Sequence, residues 1–205
     1  MSMYPPVRSF DEAARLAGEY FLGKSPIHQA ADAVARILSE EGIDFAVAGA
    51  LALNEHGVLR ATEDVDLLIT RDGLARFKER WLGRGFVEVR PGSKPVRHTE
   101  TKVKIDFLIS GDYPGDGKPK PVAFPVPSEA SETTERYRVI SLPTLVELKL
   151  ASAMTAPDRP QDWADVIRLI RTRKLPLEFR LHLHEYVRAE YDRLWHIAQK
   201  PEDEY

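Results

Sequence analysis

Two carboxylates stand one residue apart in Asp64-Val65-Asp66, and a third follows in Lys104-Ile105-Asp106-Phe107. Val65, Leu67 and Ile69 alternate with the first pair, and Val103, Ile105, Phe107 and Ile109 surround Asp106 in the same way. Side chains alternate faces along a strand, so each segment predicts a strand with one apolar face and its aspartates on the other. Two β-carbons on one strand face lie about 7 Å apart, close enough to share a divalent cation. If the two strands are neighbours, three carboxylates meet. Hard oxygen donors of this kind suit Mg²⁺ or Mn²⁺, which can organise a nucleoside triphosphate for in-line displacement at phosphorus. A lone Asp-x-Asp also occurs on solvated strand faces for solubility alone. The matching aspartate on a second strand, and the segment ahead of the pair, favour the ligand reading.

These residues need elements to hold them. Phe45-Ala46-Val47-Ala48-Gly49 predicts a strand ending at a glycine, followed by a short helix over 50–56 that Gly57 stops. Upstream, a short amphipathic helix is expected over 11–20. A longer one starts at Ser25-Pro26, repeats Ile27, Ala30, Ala31, Val34, Ile37 and Leu38 at helical spacing, and stops at Gly42. Downstream come a helix over 74–82 and strands over 86–89 and 103–109. Residues 111–127, rich in Gly, Pro and Lys, form a long surface loop. Helices over 145–153 and 163–170 follow, then one amphipathic helix over about 177–199 and a fraying acidic tail. The fold class is therefore mixed α/β (α+β): a core with its N-terminal helices over 1–135, then a helical C-terminal subdomain over 136–205.

The segment Val47-Ala48-Gly49-Ala50, continuing to Arg60-Ala61-Thr62-Glu63-Asp64-Val65-Asp66, resembles the signature of the DNA polymerase β-like nucleotidyltransferase superfamily. Within it, Arg60-x-Thr62-x-Asp64-x-Asp66 looks most like the AbiEii and MenT toxin-like group. Leu145-x-x-Leu148-Lys149-x-x-Ser152 and Arg159-x-x-Asp162-x-x-Asp165 are similar to that group's later helices, so the likeness runs from about Phe45 to Ile170. It implies a polymerase β-like core with metals on Asp64, Asp66 and Asp106. It also implies a nucleotide held by Gly49, Ala50, Arg60, Thr62, Lys149 and Asp162, with Lys149 acting on the triphosphate. The backbone of the Gly49-Ala50 turn would receive phosphate, which requires small residues. Ala50 departs from the pattern, which has serine or glycine there, and a hydroxyl contact to phosphate is lost. The resemblance further implies transfer of NMP from an NTP to an acceptor hydroxyl, RNA or a tRNA end among the acceptors, and a cognate antitoxin as partner. A protein or small-molecule acceptor is the alternative, as is a silent nucleotide-binding or interaction module on the same fold.

Plainer readings stand beside these. Lys149 and Arg60 would by default be an exposed helix lysine and a surface ion pair. Asp162 and Asp165 suit the first turn of a helix through its dipole, or else orient Lys149 or the acceptor. His56 reads as a polar cap before Gly57. His182 and His184 would point apart on one helix, and Trp163, Tyr186, Tyr191 and Trp195 read as core. The chain has 205 residues, a formal charge of -3 and no cysteine. That excludes disulfides, thiolate sites and a strongly basic nucleic-acid binder, and fits a cytoplasmic protein. No apolar run is long enough to span a membrane, and the first six residues give no signal-peptide pattern. Arg168, Arg171, Arg173, Lys174 and Arg180 crowd a late stretch, either a solvated face or a surface for a polyanion.

Overall fold

The computed structural model describes residues 9–201, so the N-terminal pattern and the acidic tail lie outside the described residues. Two helices lead: α1 (Phe10–Phe21) and α2 (Pro26–Glu40). The sheet is built from β1 (Phe45–Val47), β2 (Asp64–Ile69), β3 (Phe86–Glu88), β4 (Val96–His98), β5 (Lys104–Ile109), β6 (Ser131–Thr133) and β7 (Arg138–Ile140). Two helices interrupt it, α3 (Gly49–Glu55) and α4 (Arg71–Trp81), and α5 (Leu142–Ala153), α6 (Pro160–Arg173) and α7 (Glu185–Ala198) close the chain.

The seven strands run in the order β3-β4-β5-β2-β1-β7-β6. β1 is antiparallel to β2, β2 is parallel to β5, and β1 is parallel to β7, so the sheet is mixed as expected. Val65, Leu67, Ile105 and Phe107 are buried on one face, where the Phe77 ring of α4 lies 5.7 Å from Phe107. Burial of that stripe drives the two central strands together, at roughly 25 cal/mol per Å² of apolar surface. The opposite face carries the aspartates. No helix among the described residues is long and apolar enough to cross a membrane.

Three differences from the sequence reading have physical causes. β4, β6 and β7 are three residues each, too short to show a period. β6 and β7 form an antiparallel hairpin across residues 135 and 136, and β7 joins the sheet beside β1. The single long helix expected over 177–199 is broken. Leu177–His182 is a 3-10 segment, Leu183 is extended, and the His184 side chain accepts from Tyr186 N–H to start α7. The 3-10 and α periods are too close for spacing alone to separate them.

Candidate active site

β1 ends at Val47, and the chain turns through Ala48-Gly49 into α3. Gly49 has φ 57°, and a β-carbon there would lie 1.9 Å from Asp66 Oδ2. Glycine is needed both for the left-handed backbone and for the close approach of the carboxylate. Ala48 N–H donates to the Asp66 carbonyl at 2.8 Å, which ties the turn to β2. Ala48, the N-cap of α3, places no side-chain hydrogen bond on the first turn.

β2 and β5 are paired in parallel, with Asp64 opposite Lys104 and Asp66 opposite Asp106. The two strands are thus neighbours, and all three aspartates share one face. Thr62 Oγ1 donates to Asp64 Oδ1 at 2.9 Å and orients it. Asp66 has its pKa raised to about 7, first by burial and then by repulsion from Asp64 and Asp106, against the pull of Lys149 and Lys104. The three aspartates share this patch as expected from the strand pairing, although among the described residues no group of three His, Cys, Asp or Glu side chains stands arranged to hold a metal ion. Lys104 stands among the carboxylates, with its ammonium 2.6 Å from Asp106 Oδ2 and 3.2 Å from Asp64 Oδ2. Burial opposes its charge, but hydrogen bonds and attraction to Asp106 and Asp64 outweigh that and raise the Lys104 pKa. A patch of carboxylate oxygens that draws a cation from its own chain fits Mg²⁺ or Mn²⁺ by donor chemistry.

A second cluster lies across the cleft. Lys149 is buried in α5, which is apolar nearly all round. Its Nζ donates to Asp162 Oδ1 at 3.0 Å and Asp165 Oδ2 at 2.6 Å. Arg60 also donates to Asp165 Oδ2, at 2.5 Å. Asp165 is fully buried, and its Oδ1 has no hydrogen-bond partner among the described residues, so both cations converge on one oxygen. The Arg60 backbone is fixed in turn: its N–H donates to Asn54 Oδ1 at 2.7 Å, and its carbonyl accepts from the Tyr20 hydroxyl at 2.9 Å. Lys149 is therefore no exposed helix lysine, and Arg60 is no loose surface pair.

Between the clusters runs a cleft of about 180 Å³, lined by Gly49, Ala50, Arg60, Thr62, Asp64, Asp66, Lys149 and Asp162, among others. Asp106 does not line it; Leu108, two residues further along β5, does. The far wall comes from the 111–127 loop. Gly115, with φ 70°, lies so close to α5 that a β-carbon there would meet Thr155 Oγ1 at 2.3 Å and the Ser152 carbonyl at 2.8 Å. The loop expected at the surface is thus docked, at Gly115, against the end of α5.

The sequence model of the nucleotidyl transferase AbiEii toxin, from type IV toxin–antitoxin systems, matches residues 32–204. The chain belongs to the AbiEii family. It is accordingly an enzyme of nucleotidyl transfer, a transferase from a toxin–antitoxin family. No match was found among curated proteins. Six solved chains match, including ANT(2")-Ia in complex with adenylyl-2"-tobramycin. That chain is 14% identical with a TM-score of 0.49, over 76% of this chain and 91% of its own, and the likeness bears on neither substrate nor acceptor here. The AbiEii match reaches well beyond Ile170, where the likeness read from motifs ended, and takes in α7.

One residue of the site, Lys104, has no role in the sequence reading. Lys104 was legible in principle, because alternation puts it on the face of Asp106. Asp165, weighed as a helix-start acid or as one that orients Lys149, does hold Lys149, and its further pairing with Arg60 depends on the packing of α5 against α6.

Proposed function

We propose that this AbiEii-family enzyme transfers a nucleoside monophosphate from a nucleoside triphosphate to a hydroxyl of RNA, a tRNA end foremost. The observation that carries the reading is a single cleft lined by the Gly49-Ala50 turn, by Asp64 and Asp66, and by Lys149 and Arg60. The triphosphate would lie on the turn, where small side chains let phosphate oxygens approach the backbone. Lys149 and Arg60 would direct part of their hydrogen bonding to it, Lys149 stabilising charge on the departing pyrophosphate. Asp64, Asp66 and Asp106 would hold Mg²⁺ or Mn²⁺, which when bound neutralises phosphate charge and favours in-line displacement. Asp106 would take the proton of the acceptor hydroxyl. A bond forms from that oxygen to the α-phosphorus, and the bond from the α-phosphorus to the bridging oxygen breaks.

RNA as acceptor, and a cognate antitoxin as partner, are supported by the toxin family and by a basic strip after the site. Of that strip, Arg168, Arg173 and Lys174 are exposed. Arg171 is otherwise engaged: its guanidinium donates to the carbonyls of Ala198 at 3.1 Å and Lys200 at 3.2 Å, pinning the end of α7. The test is incubation with each α-labelled nucleotide and total RNA, followed by digestion of the labelled product. Label in one RNA class identifies the nucleotide and the acceptor. No label in RNA from any nucleotide would exclude RNA and move a protein or small-molecule acceptor to first place.

A further inference from the structure

β2 and β5 bring three carboxylates onto one small patch of a sheet, with Asp66 and Asp106 as direct cross-strand partners. Like charges so placed destabilise a strand pair. The same register puts Lys104 opposite Asp64 and two residues before Asp106, on their face. Its ammonium bridges the two, at 3.2 Å from Asp64 Oδ2 and 2.6 Å from Asp106 Oδ2. A divalent ion held by both carboxylates needs oxygens at about 2.1 Å and must take up the space between them. The ammonium and the ion therefore compete for the same oxygens. Lys104 is about a third exposed, so its flexible stem has solvent into which to withdraw.

We infer that Lys104 is a resident counter-cation of the carboxylate cluster, which holds Asp64 and Asp106 together in the empty enzyme and disfavours a free divalent ion. This rests on the reading of Asp64, Asp66 and Asp106 as the metal-holding residues. Its consequence is ordered loading. A free ion must displace the lysine unaided, whereas an ion arriving with a triphosphate brings phosphate oxygens that complete its shell and give the freed ammonium an anionic neighbour. Lys104 is a positioning residue in this scheme: it acts through the carboxylates.

The experiment is Mn²⁺ binding to the nucleotide-free protein, followed by the electron paramagnetic resonance of the free ion. Lys104→Met should bind Mn²⁺ at least tenfold more tightly than the wild type, while Lys104→Arg, which keeps a cation there, should bind as weakly as the wild type. Thermal melting supplies a second readout that registers folding as well. Without metal, Lys104→Met should melt below the wild type, and Mn²⁺ should raise its melting temperature by the larger amount, because a tighter ligand stabilises more. Lys104→Gln serves the same comparison should the methionine variant not fold. Equal or weaker Mn²⁺ affinity in the Met and Gln variants, with Asp64→Ala still abolishing binding, would overturn the role of Lys104 alone. Binding that survives Asp64→Ala would overturn the metal-holding reading as well.

Discussion

Each side chain around the cleft is defined by what opposes it. Asp64, Asp66 and Asp106 repel one another, so Asp64→Ala, Asp66→Ala and Asp106→Ala should each abolish nucleotidyl transfer while leaving the fold intact. Circular dichroism beside a transfer assay checks both halves, and a variant that unfolds or stays active would count against the assignment. The Lys149–Asp165–Arg60 cluster has the opposite character, since Asp165 and Lys149 are buried and, with Asp162, the positive and negative charges balance. Removing one partner of a buried pair costs about 3–5 kcal/mol, because the remaining charge stays in low dielectric. Asp165→Ala should therefore lower unfolding stability in urea by about that amount. The double variant Asp165→Leu/Lys149→Met should recover much of it while remaining inactive. A stability near wild type for Asp165→Ala alone would show that water reaches the cluster.

The elements were unequally visible in the chain. β2 and β5 announced themselves by alternating apolar residues with aspartates, β1 as an apolar run ending at Gly49, and α2 through the serine and proline that start it and its glycine stop. Alternation put the aspartates on one face, whereas the Gly49 turn and Lys149 stood out as site residues only through the resemblance to the nucleotidyltransferase signature. Burial of Lys149 could not be read at all, since it depends on α6 packing over α5, a tertiary fact with no local period. Short β4, β6 and β7 owe their existence to pairing partners, and the docking of the 111–127 loop depends on its contact with α5 at Gly115, a tertiary meeting with no local signal. The turn before α3 offers a test at this level. Gly49→Ala places a methyl against the Asp66 carboxylate in a left-handed conformation that costs a non-glycine residue about 1–3 kcal/mol. It should lose activity and stability together, whereas Ala50→Ser should keep the fold and tighten nucleotide binding, read by calorimetry. Unchanged affinity in Ala50→Ser would remove this turn from the phosphate site.

Over the whole molecule, two buried histidines and Asp66 pull the response to acid in opposite directions. His28 and His98 both have lowered pKa values, chiefly through burial. The unfolded chain, at about 6.5, binds these protons where the folded protein does not. Their effect is a loss of stability as pH drops below about 6.5, while Asp66, with its pKa raised to about 7, adds stability as it takes up a proton over the same window. Between pH 7 and pH 5 the melting temperature of His28→Gln/His98→Gln should fall less, or rise more, than that of the wild type; identical slopes would show that these histidines do not shape the response. At the surface, Arg168→Gln/Arg173→Gln/Lys174→Gln should reduce labelling of RNA and its salt dependence while leaving nucleotide binding intact, with Arg171 kept because it anchors α7. Expression in cells should arrest growth, and Asp64→Ala should relieve the arrest. The central claim, that this cleft breaks the bond between the α- and β-phosphates of a nucleotide, has one most direct measurement. The enzyme is incubated with Mg²⁺, acceptor RNA and one NTP labelled either at the α- or at the γ-phosphate. The α-label should enter the acceptor while the γ-label leaves as pyrophosphate, and Asp64→Ala should do neither. Release of the γ-label as free phosphate, or transfer undiminished in Asp64→Ala, would contradict it.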